Sequence, residues 1–260
     1  MGHDLHMNRS ADKKTAFVTG ASYGVGAATA LALARAGFDV AVSATRAENL
    51  DGTVAQLEAL GMQPVVLALD LGSQSSIERA IAEVLSAFGR LDLLVNNAGS
   101  NLRKLAVDVT WADWDAIMAS NLRGAFFLSQ QLGRRLIAAG RPGDIVNIAS
   151  THGLVGAAER STYGIAKGAL IQMTRMLAIE WAEYGIRINA IAPGRLDTRS
   201  PSRAARTDDP SYMQAMLARI PLHRLATVDE VAAAVCYLAS PQAASLTGQT
   251  LVLDGGITVA

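Results

Sequence analysis

One cysteine occurs in 260 residues, so no intrachain disulfide can form. Cys236 lies in the apolar stretch VAAAVCYLAS and reads as a small buried hydrophobe on a helix, which suits a reducing cytoplasm. Neither sign of charge is in excess: 23 Lys plus Arg face 23 Asp plus Glu, and no long basic run appears. A chain without a positive field has little to hold a phosphate backbone, which argues against nucleic acid as a partner. No apolar run approaches the roughly 20 residues of a membrane span, and the polar start MGHDLHMNRSADKK lacks the apolar core of a secretory signal. Membrane partners are therefore not expected. Without a secretory route, the sequon Asn8-Arg9-Ser10 carries little meaning. Residues 1–13, with His3, His6 and a second Met at position 7, read as a flexible leader, and no metal site is read. Repeats, low-complexity tracts and linkers rich in Pro, Gly or Ser are also missing, so residues 14–260 read as one domain.

What the chain does have is core: half its residues are hydrophobic. Seven short apolar runs recur, TAFVT, DVAVSA, PVVLAL, LDLLV, DIVNIA, IRINAIA and QTLVL. Each of the first six is followed by a helical stretch or by a loop leading to one. Near-continuous apolar strands alternating with amphipathic helices require a sheet covered on both faces. The expected fold is α/β, a Rossmann-like, doubly wound, parallel seven-stranded sheet with right-handed crossovers.

Such sheets bind ligands beyond the carboxyl ends of their strands. There the first run ends in TGASYGVG, whose Gly20, Gly24 and Gly26 open the helix through AATALALARA. Glycines let backbone approach a pyrophosphate, and the helix N-terminus supplies N–H groups, so this loop, with Ser22, Tyr23 and Val25 on it, is a dinucleotide site. Further along, STYGIAKGAL places Tyr163 and Lys167 four apart, on one helix face. In isolation that spacing also fits an ordinary solvated face.

TGASYGVG, NNAG (Asn96 to Gly99), Ser150 in IVNIAS, YGIAK and APG (Ala192 to Gly194), in this order and each after the right strand, resemble the short-chain dehydrogenase/reductase family from about Lys14 to Gly256. The resemblance implies an NAD(P)-dependent oxidoreductase that interconverts a carbonyl and a secondary alcohol by hydride transfer. Tyr163 would be the acid/base. Lys167 would lower its pKa from about 10 and hold the nicotinamide ribose. Ser150, thirteen residues before Tyr163, would hold the substrate oxygen. Asn121 in IMASNLRGAFF, a poor helix former in a helical stretch, would mark a local irregularity and link Lys167 to solvent. The resemblance also assigns the cofactor to Asn97, Ala98 and Gly99 beside the adenosine ribose, Asp70 and Leu71 near adenine, and Pro193, Gly194 and Thr198 around the nicotinamide. Asp70 could equally cap the helix that begins near Ser73.

Thr45 and Arg46 end the second run, where an acidic residue would chelate the ribose diol of NAD. A hydroxyl and a guanidinium suit a 2′-phosphate, so NADP is preferred over NAD. Thr45-x-x-Glu48 also reads as a capping box, and Tyr23 stands where many NADP-using relatives carry a basic residue.

Residues 195–217 break the rhythm and read as a substrate lid, carrying Arg195, Arg199, Arg203 and Arg206. Arg103 after NNAG and His152 after Ser150 are candidate substrate contacts. The stretch NNAGSNLRK is similar to sugar-acid dehydrogenases of the family, which implies a sugar, polyol or sugar-acid substrate. The C-terminal IPLHRLATVDEVAAAVCYLAS and SLTGQTLVLDGG resemble its 3-oxoacyl reductases, the main rival. A non-catalytic dinucleotide sensor is a remoter one. The apolar helix from Tyr163 to Glu183 and the last strand would build a homotetramer, as they do in the family.

Overall fold

The computed structural model describes residues 13–197 and 210–260. Seven parallel strands, β1 (Thr15–Val18), β2 (Asp39–Ala44), β3 (Val65–Ala68), β4 (Leu93–Asn96), β5 (Gly143–Ile148), β6 (Ile186–Pro193) and β9 (Thr250–Leu253), form one sheet in the order β3-β2-β1-β4-β5-β6-β9. All seven apolar runs are strands, and the order reverses beside β1, where a doubly wound sheet opens its ligand crevice. Two short strands not foreseen, β7 (Leu196–Asp197) and β8 (Ala226–Thr227), pair with each other beyond β6.

Burial explains the layering. Residues of β1 and β4 are buried on both faces, and two cores result. On one face α3 (Gln74–Phe88), α5 (Gly124–Ala139) and α6 (Ser161–Trp181) pack Ile77, Ile81, Leu128, Leu132, Leu170 and Leu177 against Phe17 and Leu94. On the other, α1 (Gly24–Arg35), α2 (Asp51–Ala59) and α8 (Val228–Leu238) pack Leu33, Leu57, Val231 and Val235 against Val18, Val42 and Val95. Among the described residues the remaining α-helices are α4 (Trp111–Met118), which leads into α5, and α7 (Pro210–Ala218). Capping boxes start α4 at Thr110/Asp113 and α8 at Thr227/Glu230. Among the described residues no helix is long and apolar enough to cross a membrane.

At the amino ends of the strands, charged side chains staple the loops. Asp92 accepts Arg90 (2.7 Å), Arg141 (3.2 Å) and the Thr15 amide (2.9 Å), and Arg187 pairs with Asp144 at 2.8 Å. Burial pushes the Asp144 carboxyl up to about 6, against the pull of Arg187 and Lys14. Leader residues 1–12, Thr198, and Arg199, Arg203 and Arg206 of the expected lid lie outside the described residues. The described parts of the lid are its first residues, 195–197, which include β7, and the helix α7.

Candidate active site

The glycine loop is shaped by close approach. Gly20 has φ +65, and a Cβ on it would lie 2.7 Å from Ala98 Cα. One on Gly26 would lie 2.3 Å from Gly20 O and 2.6 Å from Asn97 Nδ2. Any side chain here would wedge the loop off the end of β4. The contact is fixed by polar bonds: Asn97 Nδ2 donates to Thr19 O and Gly20 O, both at 2.9 Å. Thr19 Oγ1 accepts the amides of Asn97 (3.1 Å) and Ala98 (3.0 Å). Thr19 was not singled out in the sequence, where a buried strand-end threonine looks like any other.

Tyr23 is the N-cap of α1, is 59% exposed and makes no side-chain cap bond, so the first amides of α1 have no side-chain partner from that cap. Ser22 and Val25 flank it, half-buried. Around this loop the strand ends collect the other expected cofactor residues. Thr45 and Arg46 are exposed just past β2. The Thr45–Glu48 capping box does not form: the short helix there starts after Arg46, with no side-chain cap. Nor does Asp70 cap α3; that cap is Ser73 Oγ, which accepts the Ser76 amide. Asp70 is exposed past β3, and its Oδ1 accepts the Gly72 amide at 2.8 Å. Leu71 is buried against Gly124. Pro193 ends β6, and Gly194 lies so near Asp254 that a Cβ would come within 2.9 Å of its Cα.

Beyond β5 the chain turns at Ser150 and lies directly on α6: a Cβ on Gly153 would meet the Lys167 carbonyl carbon at 2.7 Å. This contact seats Ser150 against the helix that carries Tyr163 and Lys167. Ser150 Oγ accepts the His152 amide (3.2 Å) and lies 3.4 Å from His152 Nδ1. The His152 ring meets Tyr163 edge-on, centroids 6.0 Å apart. Lys167 is buried, its Nζ is 5.8 Å from the Tyr163 ring centroid, and it donates to Ile148 O at 2.8 Å. Burial pulls its pKa down to about 8.

Asn121 does break its helix: residues Ala119–Arg123 form a π turn between α4 and α5. Its Nδ2 donates to Ser100 O (2.9 Å) and Ile117 O (3.1 Å). Its Oδ1 is buried with no hydrogen-bond partner, and it would sit 2.4 Å from a Cβ on Gly99, a point 3.7 Å from Lys167 Nζ. A buried acceptor without a donor, beside a buried ammonium, is a polar site that a water or a ligand hydroxyl would satisfy.

Beneath the site runs a buried polar chain that was also missed. Asn96 Nδ2 donates to Ser129 Oγ (3.0 Å) and Asn147 Oδ1 (2.8 Å), and Asn147 Nδ2 donates to Thr174 Oγ1 (2.9 Å). On the open side, Arg103 pairs with Glu159, and Arg160 bonds Asn101 Oδ1 and, at 3.2 Å, Leu102 O. A cavity of about 320 Å³ lies here, lined by His152, Leu154, Arg160, Ser161 and Ile165 among others.

The chain matches known proteins along almost its whole length. The family model described as Enoyl-(Acyl carrier protein) reductase matches residues 20–258. The 3-oxoacyl-[acyl-carrier-protein] reductase FabG of Thermotoga maritima is 35% identical over 250 residues, 95% of this chain and 98% of that protein. Gluconate 5-dehydrogenase of Gluconobacter oxydans is 34% identical over 244 residues, 94% of each. A solved candidate 2-deoxy-d-gluconate 3-dehydrogenase from Agrobacterium tumefaciens, with bound NADP, superposes with a TM-score of 0.87 at 35% identity, covering 95% of this chain and 97% of that one.

Proposed function

The chain belongs to the short-chain dehydrogenase/reductase family of NAD(P)-dependent oxidoreductases, and on that premise we propose that it interconverts a secondary alcohol and a carbonyl on a sugar, polyol or sugar acid, with NADP preferred. The residues fit a dinucleotide. At Gly20 and Gly26 the loop admits no side chain, α1 lacks a side-chain cap, and the strand ends around it present Thr45, Arg46, Asp70 and Asn97. When bound, the cofactor supplies or accepts the hydride.

The observation that carries the reading is the buried Lys167 ammonium 5.8 Å from the Tyr163 ring. A phenol ionises near pH ~10, too high for proton transfer at neutrality. A positive charge this close, in a desolvated setting, favours phenolate. With its own pKa near 8, Lys167 remains mostly protonated at pH 7 and so keeps that influence. Tyr163 gives its proton to, or takes one from, the substrate oxygen, while Ser150 hydrogen-bonds the same oxygen. Asn121 opens the path between Lys167 and solvent.

NADP rests on Thr45 and Arg46. No capping bond occupies Thr45, and the exposed Arg46 can hold a 2′-phosphate bidentately. The NADP-bound neighbour supports the same choice. The sugar-type substrate rests on Arg103 and His152 near the site and on the gluconate dehydrogenase relative. We also read the protein as a cytoplasmic homotetramer. Val107, Trp111 and Ile179 are 90%, 87% and 78% exposed, and Met176 lies one helical turn from Ile179, which leaves apolar faces around α4 and on α6 for subunit contacts.

Tyr163→Phe tests the mechanism. It should lower turnover by roughly 10² to 10⁴ while NADPH binding, followed by nucleotide fluorescence, persists. A dinucleotide sensor would keep its behaviour. A turnover screen of aldonates, polyols and oxoacyl thioesters with both cofactors tests the substrate. Activity confined to oxoacyl thioesters would make the chain a 3-oxoacyl reductase, like its Thermotoga relative, and remove the sugar assignment.

A further inference from the structure

Two loops are tied together across the open side of the site. The first, residues 100–104, leaves β4 and is anchored where Asn121 Nδ2 bonds Ser100 O. The second, residues 154–160, runs from the turn after Ser150 into α6. Glu159 makes the central tie: its carboxylate bonds Arg103 Nε and its carbonyl accepts the Lys104 amide at 3.0 Å. Arg160 adds the bonds to Asn101 and Leu102 O. The Lys104 ammonium is held separately by Asp113, at 2.7 Å.

Glu159 stands at φ +61, a left-handed conformation that Gly or Asn adopts readily and Glu seldom does. A non-glycine residue held there by its surroundings points to a side chain with a task beyond the turn. That side chain occupies Arg103, which follows Gly99 by four residues, and Gly99 lies against Asn121 and Lys167. The pair is only partly shielded, with Arg103 43% and Glu159 32% exposed at the side chain. An ion pair this accessible is weak enough to exchange partners. A carboxylate on the substrate would offer the guanidinium the same charge-assisted bond.

We infer that Glu159 is a specificity-determining residue: its carboxylate holds Arg103 in place of the carboxylate of an anionic substrate and must yield when a sugar acid binds, whereas a neutral polyol leaves the pair closed. This rests on the sugar-type substrate reading above.

The test compares wild type with Glu159→Gln, Glu159→Gly and Glu159→Asp as NADP-saturated enzyme. KM and kcat are measured for D-gluconate and for neutral D-glucitol, and gluconate binding is measured by calorimetry. Glycine keeps the test open if the glutamine variant fails to fold, because φ +61 is within its own range. In the Gln and Gly variants the KM and Kd for gluconate should fall about three- to tenfold, the range a half-exposed competing pair allows. Glucitol should stay within twofold, and Glu159→Asp should recover most of the wild-type ratio. Equal weakening of both compounds, or unchanged gluconate binding, would show that Glu159 only ties the loops and would overturn the inference while leaving wild-type turnover intact. A wild-type enzyme that neither binds nor oxidises either compound would overturn the substrate reading, and the inference with it.

Discussion

Lys167→Met should separate what the buried amine costs the fold from what it gives the chemistry. Met is of similar length and carries no charge. In wild type, burial lowers the Lys167 pKa from 10.5 to about 8. At about 1.4 kcal/mol per tenfold change in proton affinity, keeping the ammonium charged below pH 8 costs the native state roughly 3 kcal/mol. The substitution removes that cost but strips Ile148 O of its donor, which costs roughly 1–3 kcal/mol. The variant should therefore be between equally stable and about 2 kcal/mol more stable at pH 7, with turnover down by at least about 10².

The sign with pH follows from the lowered value. Between pH 8 and 10.5 the unfolded chain holds a proton that the native state has released, so wild-type stability rises through this window and the advantage of the variant shrinks. Urea unfolding of both proteins at pH 7, 8.5 and 10, at one protein concentration, reads the difference. Asp144 titrates alike in both and cancels. A variant destabilised by more than about 2 kcal/mol at pH 7, or a difference that does not move with pH, would refute the argument that desolvation dominates at Lys167.

Two other substitutions probe the cofactor crevice. Arg46→Ala should raise the KM for NADPH by roughly ten- to a hundredfold, the loss of one charge-assisted phosphate contact, with the KM for NADH changed little; equal efficiency of wild type with both cofactors would remove the case for Arg46. Gly26→Ala places a methyl 2.3 Å from Gly20 O and should cost roughly 1–3 kcal/mol in melting experiments, and NADPH binding should weaken at least tenfold because the loop must lift from Asn97.

The sheet was legible because a strand buried on both faces, as β1 and β4 are, must be apolar throughout, and the edge strands β3 and β9 are apolar runs as well although only partly buried. Asn121 was legible through the family resemblance, which implies an irregularity there; by propensity alone a poor helix former in a helix could equally be tolerated, and the π turn is the irregularity the resemblance implied. Thr45 and Asp70 misled as possible caps, since a hydroxyl or carboxylate ahead of a helix looks the same whether or not it bonds the backbone. Ser73 caps α3 instead, and nothing caps the turn after Arg46. Glu159 and Arg160 were not legible, because their partners lie 56 to 59 residues away and a left-handed glutamate has no sequence signature. Ser129 and Thr174 were hidden too, as polar residues in helices usually face water.

Those hidden residues bear on how the protein could change. Parallel apolar strands carry little that distinguishes one alignment from a neighbouring one, and a slip of one residue would turn every side chain to the wrong face. Asn96 and Asn147 stand directly opposite each other in the pairing of β4 with β5, and their amides reach Ser129 on α5 and Thr174 on α6. They act as a key that fits only one alignment, setting the height of Ser150 against Tyr163 and of Gly99 against Lys167 from below. The loops above are thereby relieved of holding the reacting groups in line. New substrates can be explored by rewriting residues 100–104 and 154–160, while the proton-transfer geometry stays anchored in the interior.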